Sequence, residues 1–332
     1  MKIALLNDTH FGARNDSPAF LDYFMRFYNE IFFPYLKENN IKTLIHLGDV
    51  VDREGIDTHI ILGNHDTYYK NTNEVNAINE LCTTYDGLKE PFIYDKAITK
   101  NFGGTEICLI PWICDDNYEH SLQEIQNSSA QLALGHLEIK GFEMHSGHMN
   151  LQGLDKSMFH RFEKVLSGHF HKKSDDGQIY YLGTQYEITW SDYKCPKGFH
   201  ILDTETRELA RVPNPMRIHK KLIYNDKEND YVNMDLSHFT DTFVKVFVTN
   251  KTNEEMFNNL IDRLHNTVDT HEVNIIEDLN TDITASVKED ILEQGEDTLT
   301  FLGNYVEQID SKLDKHKLKS VIKDLYTEAS ER

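Results

Sequence analysis

The segment His59-Ile60-Ile61-Leu62-Gly63-Asn64-His65-Asp66 passes from an aliphatic run directly into a glycine and three polar side chains. A short apolar run bounded by turn residues is typical of a strand that is buried on both faces. Similar polar groups follow other apolar runs, in this order: Asp8-Thr9-His10, Gly48-Asp49, Gly135-His136 and Gly168-His169-Phe170-His171. Strands that end in Asp, Asn and His predict a cluster of metal ligands along one edge of a sheet.

Apolar runs of this kind recur through the first 200 residues and predict buried strands. They are Ile3–Leu6, Thr43–Leu47, His59–Leu62, Ile107–Ile110, Leu132–Leu134, Val165–Leu166 and Tyr180–Leu182. Between some of them, apolar residues at helical spacing predict helices over Phe20–Leu36, Asn73–Tyr85 and Tyr118–Asn127. The alternation of strand and helix predicts an α/β fold.

The remainder of the chain predicts a hairpin and two further modules. Gly198–Leu202 and Leu209–Val212 form the hairpin, and Pro213-Asn214-Pro215 is the first strong break, because proline fixes φ and lacks an N–H donor. A small α/β module follows, with strands at Phe243–Val248 and Val273–Ile276 and a helix at Glu254–Val268. Two amphipathic patterns begin at about Val287. We therefore predict three domains, at residues 1–214, 215–282 and 283–332.

Composition narrows the class of protein but not its substrate. A chain of 332 residues is expected to have one large core with appendages. No stretch approaches the roughly 18 apolar residues of a membrane span, and the start turns polar too soon for a signal peptide. Four cysteines without a Cys-x-x-Cys pair indicate reduced thiols in a cytoplasmic protein. The net charge of −21 favours solubility and neither supports nor excludes DNA, whose phosphates usually contact Lys and Arg.

The polar residues that follow the strands favour a transition-metal site. The candidate ligands are Asp8, His10, Asp49, Asn64, His136, His169 and His171. Carboxylate, amide oxygen and imidazole without thiolate suit Mn²⁺, Fe²⁺ or Zn²⁺ better than Ca²⁺. Seven ligands exceed the needs of one ion, so we predict two ions bridged by a carboxylate, a site suited to displacement at phosphorus.

In their order and strand contexts, the five motifs resemble the calcineurin-like metallophosphoesterase superfamily over residues 1 to about 212. Two further segments make the resemblance more specific, Tyr68-Tyr69-Lys70-Asn71 and Ile110-Pro111-Trp112. With them, the chain resembles the nuclease subunits of double-strand-break-repair nuclease–ATPase complexes, of the bacterial SbcD type and of T-even-like phages. The resemblance implies a layered β-sheet core flanked by helices, a small α/β cap that faces DNA, and a C-terminal helical arm.

The resemblance also implies roles for individual residues. One Mn²⁺ would be held by Asp8, His10 and His171 and a second by Asn64, His136 and His169, with Asp49 as the bridge. Mg²⁺, Fe²⁺ and Zn²⁺ are alternatives to Mn²⁺. The catalytic residue would be His65, which faces the scissile phosphate as an acid or charge stabiliser. Asp52, Arg53 and Asp66 are candidates for supporting or phosphate-facing positions.

The implied reactions are 3′→5′ exonuclease action on duplex ends and endonuclease action on single strands or hairpins. The implied partners are DNA, an SMC-like ATPase subunit bound through the C-terminal helices, and a second copy of the chain in a homodimer. No membrane is involved, and the expected location is the cytoplasm of a bacterium or of a phage-infected cell.

The connection between Asp49 and Asn64 is shorter than in the family, at fourteen residues. The family places a helix there, whereas a parallel crossover of this length has no room for one. We therefore hypothesise that one sheet face near Ile60 and Leu62 is exposed, and that Asn64 and His65 are displaced from the second metal.

Two other functions remain open. The segment Gly48-Asp49-Val50-Val51-Asp52-Arg53 resembles the protein-phosphatase form of the second motif, which favours a phosphomonoesterase, although that family has Glu in place of Asp66. The short connection favours a catalytically impaired architectural subunit. Gly147-His148 follows no strand-like run and is interpreted as a loop, and Trp112 and Trp190 are interpreted as core aromatic residues.

Overall fold

The computed structural model describes residues 1–12, 14, 17–48, 56–82, 91–145, 148–151 and 153–277, together with positions 306, 317, 318 and 321. The chain divides into two compact units, residues 1–277 and 278–332. Asp49, Asp52, Arg53 and most of the predicted helical arm lie outside the described residues. Their assignments, and the three predicted domains, stay predictions.

Seventeen strands and five α-helices make up the described part of the chain. The strands are β1 (Lys2–Leu6), β2 (Thr43–Leu47), β3 (Asp57–Ile61), β4 (Phe92–Tyr94), β5 (Ile98–Phe102), β6 (Thr105–Ile110), β7 (Leu132–Gly135), β8 (Glu143–His145), β9 (His148–Met149), β10 (Lys164–Ser167), β11 (Ser174–Asp175), β12 (Ile179–Tyr181), β13 (Lys197–Asp203), β14 (Leu209–Asn214), β15 (His219–Asn225), β16 (Phe243–Asn250) and β17 (Glu272–Ile276). The helices are α1 (Pro18–Phe27), α2 (Phe33–Glu38), α3 (Ala77–Cys82), α4 (Tyr118–Asn127) and α5 (Glu254–Asn266).

Two six-stranded sheets face each other and form the core. Sheet 1 has the spatial order β14–β13–β1–β2–β3–β4, and sheet 2 has the order β11–β12–β10–β7–β6–β5. Their inner faces share one apolar cluster, to which sheet 1 contributes Ile3, Leu5 and Ile45 and sheet 2 contributes Leu109 and Leu134. The prediction of a layered α/β core is confirmed, and the layers are two sheets with helices outside them.

Aromatic residues at helical spacing fix the helical layer on sheet 1. Phe20, Phe24 and Phe27 of α1 pack against Leu44 and Phe199 of the sheet. The predicted single helix over residues 20–36 is interrupted, because a π-helical turn at Tyr28–Phe32 separates α1 from α2. Pro34 near the start of α2 has no N–H to continue the α-helical hydrogen-bond ladder, which accounts for the local change in winding.

The sheet face near the short connection is covered, contrary to the hypothesis above. Ile60 and Leu62 are fully buried and pack with Ile78 of α3 and with Ile93. Helix α3 follows the site in the chain rather than preceding it, so a later segment supplies the apolar cover that the family's crossover helix would give. β2 and β3 still pair in parallel, with Thr43 opposite Asp57.

Two local predictions need correction. The predicted break begins after Asn214 rather than at Pro213, because Pro213 lies within β14, opposite Gly198 of β13. β14 is the edge of sheet 1, where a residue without an N–H donor is tolerated. His148 lies in β9, which pairs with β8 in a short hairpin, so the loop interpretation of Gly147-His148 is wrong for its second residue.

The small α/β module has three parallel strands rather than two. Sheet 3 has the order β15–β16–β17. β15 was not predicted, because it begins with His219, Lys220 and Lys221 and has only three consecutive apolar residues. Its Leu222 and Tyr224 join Val246 and the α5 residues Phe257 and Leu260 in a separate apolar cluster. None of the described helices is long and apolar enough to cross a membrane.

His200 lies in the middle of β13 with 2% of its surface exposed. Burial lowers the pKa of His200 to about 3, and the charges of Arg211 and Lys173 act in the same direction. An unfolded histidine titrates near pH 6.5, so the unfolded chain binds one more proton than the native chain as the pH falls below that value. Stability that is present at neutral pH is therefore lost between about pH 6.5 and pH 3.

We expect His200→Leu to reduce the loss of unfolding free energy between pH 7 and pH 5 by about 2 kcal/mol. Urea denaturation at the two pH values measures this difference. The matched control is His265→Leu, which removes an exposed histidine of α5. If His200→Leu leaves the pH dependence of unfolding free energy unchanged, the low pKa of buried His200 is not the cause of the loss of stability.

Candidate metal centre

Three predicted ligands from both sheets converge at one end of the core. Asp8 and His10 follow β1, and His171 follows β10. Their ligand atoms all lie within 4.8 Å of one another. The Nε2 atoms of His10 and His171 are 3.0 Å apart. This group matches the first predicted metal position.

Asn64, His136 and His169 form a second group beside the first. Oδ1 of Asn64 lies 2.8 Å from Nε2 of His136 and 3.2 Å from Nδ1 of His169. The two imidazole nitrogens are 3.3 Å apart. The short connection therefore does not separate Asn64 from the two histidines that are predicted to share its ion.

The donor atoms of the second group fit a cation. Nδ1 of His136 lies 2.7 Å from the carbonyl oxygen of Leu47, so this nitrogen donates the ring's proton and Nε2 carries a lone pair. That lone pair faces the amide oxygen of Asn64 across 2.8 Å, and two acceptors so close repel unless a cation lies between them. Ligands bound at about 2.1 Å from one ion lie roughly 3 Å apart, as these atoms do.

The two groups touch through Asp8. Its carboxylate accepts the backbone N–H of His169 at 3.0 Å and the side-chain amide of Asn7 at 2.6 Å. Oδ1 of Asp8 lies 4.0 Å from Nδ1 of His136. Asp8 thus belongs to the first group and also lies close to two members of the second, His136 and His169. Asn7, which supports Asp8, was not predicted from the sequence.

Close backbone approach explains two of the motif glycines. A Cβ on Gly48, whose φ is +95°, would lie 2.2 Å from Nδ1 of His136. A Cβ on Gly168 would lie 2.6 Å from the carbonyl oxygen of Leu47. Gly168 has no left-handed φ, so it serves close packing rather than the sharp turn that the motif suggested.

Asp8, His10 and His169 have left-handed backbone conformations, with φ of 47°, 45° and 81°. Such conformations cost about 1–3 kcal/mol each in residues other than glycine and persist where the surrounding structure imposes them. At His169 the conformation directs the backbone N–H to the Asp8 carboxylate. Three of the eight non-glycine residues with left-handed φ among those described are therefore candidate ligands.

Burial keeps the imidazoles in the form that binds metal. It lowers the pKa of His136 to about 4, although the hydrogen bond to Leu47 acts in the opposite direction. Burial, reinforced by the neighbouring histidines, lowers the pKa of His10 and His169 well below the usual range. Burial also raises the pKa of the Asp8 carboxyl, against the opposing effects of His171 and Asn7. A bound dication favours the ionised carboxylate and the neutral imidazoles together.

His65 and Asp66 have different surroundings although they are adjacent. The ring of His65 is exposed, and its centroid lies 5.1 Å from that of His10 in an edge-on arrangement. Asp66 is buried, and its Oδ2 accepts the backbone N–H of Gly63 at 2.7 Å. Asp66 therefore closes the turn that carries Asn64 and His65, and the phosphate-facing alternative for Asp66 is not supported.

The sequence profile of the calcineurin-like phosphoesterase family matches residues 1–173, which is more than half of the 332 residues. The chain belongs to the calcineurin-like phosphoesterase family. This confirms the predicted family and the predicted enzyme class, a metal-dependent phosphodiesterase. The matched region contains the candidate ligands of both groups.

Relatives of this phosphoesterase include phage and bacterial proteins. Exonuclease subunit 1 of Enterobacteria phage T4 is 31% identical over the full length of both chains. The SbcD subunit of the SbcCD nuclease from Staphylococcus epidermidis is 23% identical over 70% of this chain and 65% of its own. A solved archaeal phosphodiesterase is 15% identical, covers 64% of this chain and 100% of its own, and has a TM-score of 0.36. The predicted resemblance to phage and SbcD-type subunits is confirmed.

Trp112 of the phosphoesterase is not a core residue. Its indole is partly exposed, and its ring centroid lies 5.4 Å from that of His169 and 6.3 Å from that of His136. Trp190 is also only partly buried and lies 4.6 Å from the ring of His219. The interpretation of both tryptophans as core aromatics is therefore wrong.

A buried ion pair supports His171 from behind. Lys197 is 1% exposed, and its Nζ donates to the carbonyl oxygen of His171 at 3.2 Å and to Asp192 at 2.5 Å. Although burial acts to raise it, the Lys197 charge holds the pKa of Asp192 at about 2. No motif marks Lys197, because its contact with His171 comes from a strand distant in sequence. The available signal was its position directly before the predicted strand Gly198–Leu202, where a lysine is next to a buried segment.

We expect Lys197→Met to destabilise the fold by about 3–5 kcal/mol, because it leaves the buried Asp192 carboxylate without its partner. Loss of the donor to His171 should also weaken Mn²⁺ binding about 10-fold or more. Urea denaturation and a Mn²⁺ titration of folded protein measure the two effects. Lys140→Met is the control, since it breaks an exposed pair with Asp155. An unchanged Mn²⁺ affinity would reduce Lys197 to a structural role.

Proposed function

We propose that this phosphoesterase is the nuclease subunit of a DNA-processing complex and hydrolyses phosphodiester bonds with Mn²⁺. The observation that carries the proposal is the convergence of two ligand groups, from strands of both sheets, beside the exposed ring of His65. The names of the relatives, an exonuclease subunit and a nuclease subunit, support a nucleic-acid substrate.

Two ions held in adjacent groups would lower the pKa of a water molecule between them and neutralise charge on the phosphate. Asp8, His10 and His171 would hold one ion, and Asn64, His136 and His169 the other. Asp49, which directly follows Gly48, would bridge them. Asn7 and the His169 N–H orient Asp8, and Leu47 fixes the tautomer of His136.

His65 would act on the substrate rather than on a metal. Its ring is exposed and lies next to the ring of His10, so a phosphodiester that approaches the cluster from solvent could contact it. There an imidazolium would stabilise charge on the phosphate or donate a proton to the leaving oxygen. Asp66 holds the turn that sets this position.

The partner is proposed to be an SMC-like ATPase bound through the C-terminal helices. The relatives are named as subunits, which supports a multi-chain complex. Recombination and double-strand-break processing in the cytoplasm are the corresponding cellular roles. The alternative of an impaired architectural subunit loses its main support, because Asn64 lies within the cluster.

We expect the parent protein to bind two Mn²⁺ ions and Asn64→Ala to bind one tightly, because the variant removes the only oxygen ligand that the described residues supply to the second group. Anomalous scattering at the manganese edge or a Mn²⁺ titration counts the ions. The control is Asn101→Ala near the end of β5, outside the site. A parent that binds a single ion would contradict the two-metal proposal.

We expect Mn²⁺-dependent release of nucleotides from 3′ duplex ends, and a decrease of about 10²–10⁴-fold in kcat for His65→Ala with unchanged metal content. The control is His160→Ala, which alters an exposed histidine outside the site. Faster hydrolysis of a nitrophenyl monoester than of DNA would favour the phosphomonoesterase. Equal DNA cleavage by the parent and His65→Ala would favour the architectural subunit or a contaminating nuclease.

A further inference from the structure

A cavity of about 140 Å³ adjoins the second ligand group, and nothing in the proposed two-metal reaction uses it. Its lining includes His136, one of the candidate ligands of the second group. The other walls are mainly apolar and come from Trp112, Ile113, Leu137 and Leu154. Trp112, Ile113 and Leu154 are partly exposed, so the cavity is reached from solvent.

The Trp112 wall is held in place by its backbone. The N–H of Trp112 donates to the carbonyl oxygen of Leu62 at 2.8 Å. Its own carbonyl oxygen accepts the side-chain amides of both Asn73 and Asn117 at 2.9 Å. Three hydrogen bonds thus fix a partly exposed tryptophan between the cavity and the ring of His169. Hydrophobic burial does not explain this position, because the side chain is only partly buried.

The opposite wall is built by a close contact between two segments. Leu154 donates its N–H to the carbonyl oxygen of Glu138 at 2.8 Å. Gly153, with φ of +92°, allows this approach, because a Cβ there would lie 2.5 Å from the same oxygen. The carboxylate of Glu138 accepts the amide of Asn150 at 3.2 Å. The cavity therefore has defined walls on both sides.

The chemistry of the lining selects a base rather than a phosphate. The lining contains no lysine or arginine among the described residues, and Glu138 would repel an anion. An indole face and aliphatic walls favour a flat ring that stacks. An engineered cavity of about 150 Å³ takes up benzene, so a cavity of about 140 Å³ accommodates one six-membered ring rather than a purine.

We propose that this cavity, bounded by Trp112, Leu154 and Glu138, binds the pyrimidine ring of a nucleotide whose phosphate lies at the metal centre. The inference rests on the proposed nuclease function, since that function places a nucleotide at His136. Glu138 is an acceptor-only side chain and matches the exocyclic amine of cytosine, a pairing that proteins use in base readout. The site favours cytosine over thymine for this reason.

The test is equilibrium binding of deoxynucleoside monophosphates, which requires no turnover. The chain has two tryptophans, so a Trp190→Phe background makes Trp112 the sole indole reporter. With Mn²⁺ present, we expect deoxycytidine 5′-monophosphate to quench Trp112 fluorescence. It should bind about tenfold more tightly than deoxyribose 5-phosphate, in line with about 1–3 kcal/mol for stacking of one base. Deoxyguanosine 5′-monophosphate should bind more weakly than the cytidine nucleotide.

Leu154→Phe fills the cavity and should remove the tenfold advantage of the base while leaving affinity for deoxyribose 5-phosphate unchanged. Its matched control is Leu151→Phe, because Leu151 is 62% exposed and lies outside the lining. Ile113→Phe provides a second filling variant if Leu154→Phe does not fold. Glu138→Gln should equalise the affinities for the cytidine and thymidine nucleotides.

Equal affinity for the cytidine nucleotide and the sugar phosphate would overturn the proposal. So would filling variants that bind the base as the parent does, or equal losses in Leu154→Phe and Leu151→Phe. The same preparations are assayed for DNA cleavage. A parent that binds the base selectively but cleaves no DNA would refute the nuclease proposal and retain the base site. A parent that cleaves DNA but does not bind the base selectively would refute the base site and retain the nuclease proposal.

Discussion

The hydrogen bond from Nδ1 of His136 to the carbonyl oxygen of Leu47 is the interaction on which the site depends. It joins the end of β7 in sheet 2 to the end of β2 in sheet 1 across 2.7 Å. Only glycine at position 48 permits this approach, since a Cβ would overlap the imidazole. The same bond fixes the tautomer of His136, so the packing of the two sheets decides which nitrogen faces Asn64.

The cluster concentrates burial, strain and mutual repulsion in a few side chains. Asp8 is 1% exposed and His136 is fully buried, and three site residues have left-handed backbones. Each of these features costs stability without a cation. The rest of the fold offsets the cost, notably through the apolar layer between the sheets and through the Lys197–Asp192 pair behind His171. A bound dication would relieve the electrostatic part directly.

Local patterns predicted the strands and the polar side chains that follow them and lie close together, because a buried strand and its terminal turn are encoded within a few residues. Contacts between distant segments were not predictable in the same way. The covering of Ile60 by Ile78 depends on a helix that follows the site, so a short crossover was wrongly interpreted as an exposed face. Trp112 and Lys197 were misjudged or missed because their roles come from neighbours far along the chain. β15 was not predicted because its first three residues are His219, Lys220 and Lys221, which leaves a run of only three apolar residues.

The charge of the chain bears on how a phosphodiester could be attracted to this site. The net charge is −21, and the lysines that follow His171 are already paired, Lys172 with Glu143 at 2.7 Å and Lys173 with Asp175 at 3.5 Å. Burial keeps His10, His136 and His169 neutral, so these three ligands add no positive charge of their own. In the proposed reaction, cations held in the cluster would supply positive charge that attracts an anionic substrate. Metal binding and substrate binding would then be coupled, because the residues that hold the ions would also set the charge of the site.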